Sequence, residues 1–197
     1  MQLQEAKDIA VGLWERLNPH CDICKVAGSI RREKPEVKDI EIVCLPKMVM
    51  GKDLFGKDTV AVRSQEFDKI VSSLGEIVKG KFGGKYMQVK LKEWDIVLDL
   101  FTPDDFDFYR QFAIRTGSAD WTSRYIAGGW KKIGWCGSDV GLRLQSQCEG
   151  TKGPDGKTKW RFNVPKAQEL LPPHWKSERE FFEWIKLPWV EPKNRNI

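Results

Sequence analysis

The stretch Asp39-Ile40-Glu41-Ile42-Val43 restricts the fold of this chain more than any other. Successive side chains of a strand point to opposite faces, so Ile40 and Ile42 share one face and Asp39 and Glu41 the other. The apolar face demands a core beneath it. The two carboxylates, roughly 6.5 to 7 Å apart at Cα, repel each other and call for a counter-charge. Two arginines, Arg31 and Arg32, stand just upstream behind Gly28-Ser29.

The surrounding pattern alternates helices and strands. Leu3, Ala6, Ile9, Ala10, Leu13, Trp14 and Leu17 recur at helical spacing and predict an amphipathic helix ended by Asn18-Pro19. A short strand is expected around Ile23 to Ala27, and a helix over Ser64 to Val78 through Phe67, Ile70, Val71 and Leu74. Gly83-Gly84 reads as a turn between two strands, the second running from Met87 to Phe101 with Asp95 and Asp99 on it. Pro103-Asp104-Asp105 starts a helix whose apolar side is Phe106, Phe108, Tyr109 and Phe112. Ser118 caps a further segment, Ala119 to Lys132. A smaller C-terminal unit follows, with strands near Trp135 to Leu144 and Lys159 to Val164, and a last helix opened by the capping box Ser177…Glu180.

A chain of 197 residues that is 41% hydrophobic supports one compact unit, arranged in two lobes. Its 33 Lys and Arg against 28 Asp and Glu give a net charge of +5, compatible with a polyanionic partner. Cys21, Cys24, Cys44, Cys136 and Cys148 form no regular framework and read as free thiols of an intracellular protein. The His20 to Cys24 run has the spacing of half a zinc site, but no second pair follows. No signal peptide or apolar run of membrane-spanning length is present in the sequence.

Paired carboxylates on a strand can converge on a metal, and a third acid from a neighbouring strand would complete a site for two divalent ions. Oxygen ligands without histidine favour magnesium or manganese. A Gly-Ser turn with a hydroxyl and two guanidinium groups is a plausible phosphate grip, and that combination points to phosphoryl or nucleotidyl transfer. Asp95 and Asp99 are both candidates for the third acid. Four positions apart on one strand, they stand about 13 Å apart and cannot serve one cluster together.

These residues resemble a known family. "GSIRREKPEVKDIEI" is similar to the Gly-Ser-x-Arg-Arg…Asp-x-Asp motif of the X family of DNA polymerases, within the nucleotidyltransferase superfamily. "VLDLFTP" resembles the strand that brings the third carboxylate, "RTGSADW" the Thr-Gly-Ser turn, and "EREFFEWIKLPWVEPKNRNI" the C-terminal helix and tail. The family's interval back from Gly117 selects Asp99 over Asp95. The resemblance implies an α+β fold: a nucleotidyltransferase palm, a mixed sheet with helices on one side, over residues 1–116. A small α+β thumb-like lobe is implied over 117–197. It implies that Asp39, Glu41 and Asp99 are catalytic and hold two Mg²⁺ ions, with Mn²⁺ able to substitute. Gly28, Ser29, Arg32, Lys38, Thr116, Gly117 and Ser118 would bind a deoxynucleoside triphosphate, and Arg31 would be structural or a ligand grip.

Three departures bear on activity. Glu41 stands where the family has aspartate, Ile114-Arg115 replaces an aromatic pair that discriminates the sugar, and Ala119 and Thr122 replace larger polar residues facing the base. The palm begins near residue 1, so no lyase or helix-hairpin-helix domain is expected, and DNA contacts fall to the core. Lys81, Lys85 and Lys90 on the basic hairpin, with Arg124, Lys131 and Lys132, are the candidates. The expectation is a monomeric, minimal DNA polymerase for short-gap repair. The alternatives are a template-independent or RNA-directed nucleotidyltransferase, a silent DNA-binding relative, and transfer to a small molecule or protein.

Overall fold

The computed structural model describes residues 1–52, 58–154 and 156–197. Helix α1 (Leu3–Leu17) comes first, then β1 (Cys21–Val26), the single-turn helix α2 (Gly28–Arg31) and β2 (Asp39–Pro46). Next are β3 (Met48–Lys52), β4 (Asp58–Arg63), α3 (Gln65–Leu74), β5 (Gly75–Gly80), β6 (Tyr86–Leu91) and β7 (Val97–Phe101). Helix α4 (Phe108–Thr116) leads into α5 (Ala119–Trp121), a π-helical segment Thr122–Ala127, and α6 (Gly128–Lys132). Strands β8 (Trp135–Ser138), β9 (Gly141–Leu144), β10 (Cys148–Lys152) and β11 (Thr158–Phe162) and helix α7 (Glu178–Trp184) complete the described chain. This is an α+β fold.

The first sheet has the order β1-β2-β7-β6-β5. Strand β1 runs antiparallel to β2, β7 parallel to β2, and β6 antiparallel to both β7 and β5. Ile40 and Ile42 of β2, Leu98 and Leu100 of β7, and Met87 and Val89 of β6 point to one face, where α1 and α3 cover them with Leu13, Leu17, Phe67 and Val71. The opposite face carries Asp39, Glu41 and Asp99, and is covered only at one end, where Val43 and Phe101 meet Phe108 and Phe112 of α4. The alternation read from Asp39 to Val43 thus separates core from chemistry.

A second core lies in the C-terminal half, built from Trp121, Ile126, Trp130, Leu142, Trp175, Phe181 and Phe182. Its sheet has the order β10-β11-β8-β9. Helix α4 serves both cores: Phe108 and Phe112 face the first sheet, while Ala113 faces the tryptophan cluster. The Ser118 and Ser177 caps stand as expected, and Ser64 caps α3 in the same way. Ser64 and Ser118 accept from Glu66 and Trp121, and Ser177 accepts from Glu180 while the Glu180 carboxylate accepts from Lys176 N–H at 2.7 Å.

Three expected elements differ. The helix expected from Pro103-Asp104-Asp105 begins at Phe108, after a single 3-10 turn at Asp105–Asp107. The helix predicted through Val78 stops at Leu74, because Gly75-Glu76-Ile77 pairs with β6 as an edge strand and Val78 is the bulge in it. The long strand from Met87 to Phe101 is two strands joined by a bend at 92–96, so that the chain folds back within one sheet; unbroken, it would span about 50 Å, longer than this sheet can pair. Asp95 lies in that bend, exposed and off the strand. The paired β3 and β4 and the strand β10 are not expected from the sequence pattern.

Candidate active site

Register brings the third carboxylate to the first two. Glu41 and Asp99 are direct partners in the parallel β2–β7 pair, with strands about 4.8 Å apart. Asp39 lies two residues before Glu41 on the same face. Asp99 is fixed by two donors on one oxygen: Tyr86 Oη and Gln88 Nε2 each donate to Oδ1 at 2.9 Å. Both come from the polar face of β6, opposite Met87 and Val89. Burial, and then the bond to Asp99, pushes the Tyr86 phenol up to about 12.

The three acids are not neutralised by protein cations. Among the described residues none of them makes an ion pair. Burial first, and Asp39 next, push the Glu41 carboxyl up to about 7, against the opposing pull of Arg32 and Arg115. Burial and the charge of Asp99 raise Asp39 as well. Such a group of like charges lowers its energy by taking up a cation or a proton.

The Glu41 side chain turns toward α2. Gly28 sits at φ 63°, and a Cβ there would come within 2.0 Å of Glu41 Oε2. Only glycine accepts both that backbone and that neighbour. Beside it, Ser29 Oγ is buried with no hydrogen-bond partner. Ser29 lines a cavity of about 340 Å³ together with Arg32, Asp39, Glu41, Arg115 and Ser118. Ile114, Gly117, Ala119 and Thr122 complete its lining.

Arg32 is held from behind. Its Nη1 donates to Thr116 O at 2.6 Å and its Nε to Asn196 Oδ1 at 3.1 Å. Burial lowers its pKa, while Glu41 and Asp39 oppose that shift. Arg115 stacks on Phe101, its guanidinium carbon 4.0 Å from the ring centre, and its buried Nε has no partner. Sequence reasoning treated Arg115 only as a missing aromatic. It is a second cation of the cavity, and its signal was a charge two residues before the Gly-Ser cap.

Arg31 does not serve the cavity. It forks onto Glu178 at 2.7 and 3.0 Å, donates to Thr116 Oγ1 at 2.6 Å and lies over Phe112. Glu178 also accepts from Arg195 at 2.6 Å; Glu178 is 6% exposed and Arg195 fully buried among Trp121, Phe182 and Trp189. Burial pushes Glu178 up, but the two guanidinium groups more than offset it and leave its pKa lowered. This Arg31–Glu178–Arg195 network ties α2 to α7 and the C-terminal tail. Glu178 and Arg195 escaped the sequence reading because nothing local marks a long-range ion pair.

Thr116 is fully buried and anchors both guanidinium groups from behind. Lys38 is exposed beside Asp39 and outside the cavity lining. Lys81, Lys85 and Lys90 are exposed on or beside β6, and Lys85 pairs with Asp104 at 2.5 Å. Arg124, Lys131 and Lys132 are exposed on the long helix instead, so the basic candidates fall into two groups.

The donor set of Asp39, Glu41 and Asp99 contains only carboxylate oxygen, which suits magnesium or manganese. As placed, with Glu41 turned toward Gly28, no three His, Cys, Asp or Glu side chains among the described residues form a closed metal cluster. Cys24 and Cys44 are cross-strand partners on β1 and β2, and all five cysteines are free thiols. No helix among the described residues is long and apolar enough to cross a membrane. No protein-family model matches the chain, and no curated protein matches it.

Proposed function

We propose that this protein is a minimal DNA polymerase resembling the X family, adding deoxynucleotides to a primer 3′ end by nucleotidyl transfer. One observation carries the reading: Asp39 and Glu41 line a cavity that also holds an orphaned serine hydroxyl and two guanidinium groups, and Asp99 stands next to Glu41 across the parallel strand pair. An anionic, phosphate-bearing ligand bridged to the acids by cations satisfies every one of these groups at once.

In this reading Ser29 and Arg32 hold the β and γ phosphates, and Arg115, also in the lining, adds positive charge. Asp39, Glu41 and Asp99 would hold two magnesium ions, which supply charge neutralisation for the attacking and leaving oxygens when bound. Asp99, oriented by Tyr86 and Gln88, faces the primer terminus and receives the proton of the 3′-hydroxyl. The hydroxyl oxygen bonds the α phosphorus, the bond from that phosphorus to the bridging oxygen breaks, and pyrophosphate leaves with the electron pair. The protein's part is to position and to offset charge. Ile114 and Arg115 stand where an aromatic pair would press on the sugar, so discrimination against ribonucleotides is expected to be weak.

The test is extension of a labelled primer on a one-nucleotide gap and on the bare single strand, with each deoxynucleotide in turn and Asp99→Ala as control. Correct-base addition on the gap, lost in the variant, supports the reading. Addition independent of template would make the protein a terminal nucleotidyltransferase of the same chemistry. No addition, with DNA binding intact, would refute polymerase activity.

A further inference from the structure

Three of the five cysteines meet at one place in the first core. Cys24 and Cys44 are cross-strand partners on β1 and β2. Cys21, three residues before Cys24, would face the other side of an ideal strand, but the register shifts between Cys21 and Ile23, and that bulge returns it to the same side. Cys21 and Cys24 are 6% and 7% exposed, Cys44 is fully buried, and all three belong to the core under α1 and α3. The Cys21 thiol is within hydrogen-bonding reach of the other two. As placed, the described residues around them make no metal cluster, which leaves sulfur–sulfur chemistry.

The ladder fixes how closely Cys24 and Cys44 stand. Ala27 N–H donates to Glu41 O at 2.8 Å, so these two residues occupy a hydrogen-bonded position of the antiparallel pair. Hydrogen-bonded and non-hydrogen-bonded positions alternate, and three steps back along both strands Cys24 and Cys44 occupy a non-hydrogen-bonded one. The Cys24 carbonyl agrees: it points off the outer edge of β1, where it accepts from Trp14 Nε1 at 2.9 Å. Residues opposed in this way stand about 4.5 Å apart at Cα, inside the range of about 4.4 to 6.8 Å that a disulfide spans. Hydrogen bonds from Cys24 and then Cys44 pull the Cys21 thiol well below its ordinary value, so Cys21 is the thiolate of the three.

We propose that Cys21, Cys24 and Cys44 are a reversible thiol–disulfide site that reacts with low-molecular-weight disulfides and ends as a Cys24–Cys44 bond. The Cys21 thiolate attacks one sulfur of the small disulfide and expels the other half as a thiolate. Cys44 then attacks the Cys21 sulfur and expels the second small thiolate. Cys24 attacks the Cys44 sulfur and expels Cys21, which leaves readily because its thiolate is the most stable of the three. The protons of Cys44 and Cys24 pass to the two released thiolates, so two small thiols form for each protein disulfide. The bond closes a loop over residues 25–43, which carries Gly28, Ser29, Arg32, Asp39 and Glu41. Oxidation thereby staples the strand pair that frames these residues, and reduction releases it. The inference does not depend on the polymerase reading.

The test is incubation of the folded protein with oxidised glutathione, quenching with an alkylating reagent, and peptide mapping by mass spectrometry without reduction. A Cys24–Cys44 linkage is expected, reversed by dithiothreitol, and the oxidised protein should unfold at higher urea than the reduced one. Cys21→Ala should form the same linkage at least about tenfold more slowly, because the reaction then starts from a neutral, buried thiol. Cys148→Ala, which removes a thiol outside the cluster, should react at the wild-type rate. No linkage, a linkage formed only after urea has unfolded the chain, or one confined to another pair would overturn the site. Cys21→Ala reacting as fast as wild type would remove Cys21 as the attacking thiol, and an equal slowing in Cys148→Ala would show that the rate reports no special chemistry at the cluster.

Discussion

Replacing Glu41 by glutamine should make the metal-free protein more stable at neutral and alkaline pH, and leave it nearly unchanged in acid. The folded carboxyl binds its proton up to about 7, against an ordinary 4.5. Between those values the folded state holds more protons than the unfolded chain, so stability falls as pH rises through that window. Below the ordinary value both states are protonated and the penalty vanishes. Above about 7 it is present in full, and at 1.36 kcal/mol per pH unit the gap amounts to about 3 kcal/mol. For a chain of this size that is roughly 6 to 12 °C in melting temperature. The assay is urea unfolding of wild type and Glu41→Gln at pH 4 and pH 8 with a chelator present. Magnesium should remove much of the difference at pH 8 by stabilising wild type alone. A variant no more stable than wild type at pH 8, or equally more stable at both pH values, would refute the argument that crowded charge destabilises this site.

Other perturbations test other contacts. Gly28→Ala places a methyl group against Glu41 at a positive φ and should cost about 2 kcal/mol or more, measured by urea unfolding. Glu178→Gln strands two guanidinium groups and should destabilise by about 3 kcal/mol or more at pH 7. Because the Glu178 pKa is lowered, its contribution is full above the ordinary carboxylate value and fades as pH falls below it, so the variant should show a flatter acid limb between pH 5 and pH 3. An equally steep limb would count against the network. Arg32→Ala should weaken nucleotide binding about 10- to 100-fold, the loss of one charge-assisted contact, with duplex affinity preserved. Titration of a fluorescent nucleotide measures it, and an unchanged Kd would remove Arg32 from the phosphate grip.

What the sequence made legible was local. Alternation at Asp39 to Val43 separated the acidic face from the core, helical spacing located α1 and α3, and serine caps located the starts of α5 and α7. Pairing was not legible. Nothing near Glu41 announces that Asp99 stands opposite it, since register depends on how β1, β6 and β7 share one sheet. The resemblance selected Asp99, and the bend at 92–96 removes Asp95 from the strand for a separate reason. Tyr86 and Gln88 went unnoticed although they alternate with Met87 and Val89, a period that marks them as the polar face of β6. Arg195 entered the sequence reading only as one position of the C-terminal tail. Its burial is decided by Glu178 and three aromatic rings that only tertiary structure assembles.

Arg31 and Arg32 are held by contacts between distant parts of the chain. Arg31 meets Glu178 across 147 residues, and Arg32 meets Asn196 across 164. Contacts of such separation require both halves of the protein to be nearly folded before they can form, because long loops must close first. The acidic face, assembled within the first sheet, has no such requirement. On the function proposed above, order of assembly would give the partly folded chain its acidic face before the arginines are in place, and nucleotide affinity would arrive only when the two halves have joined.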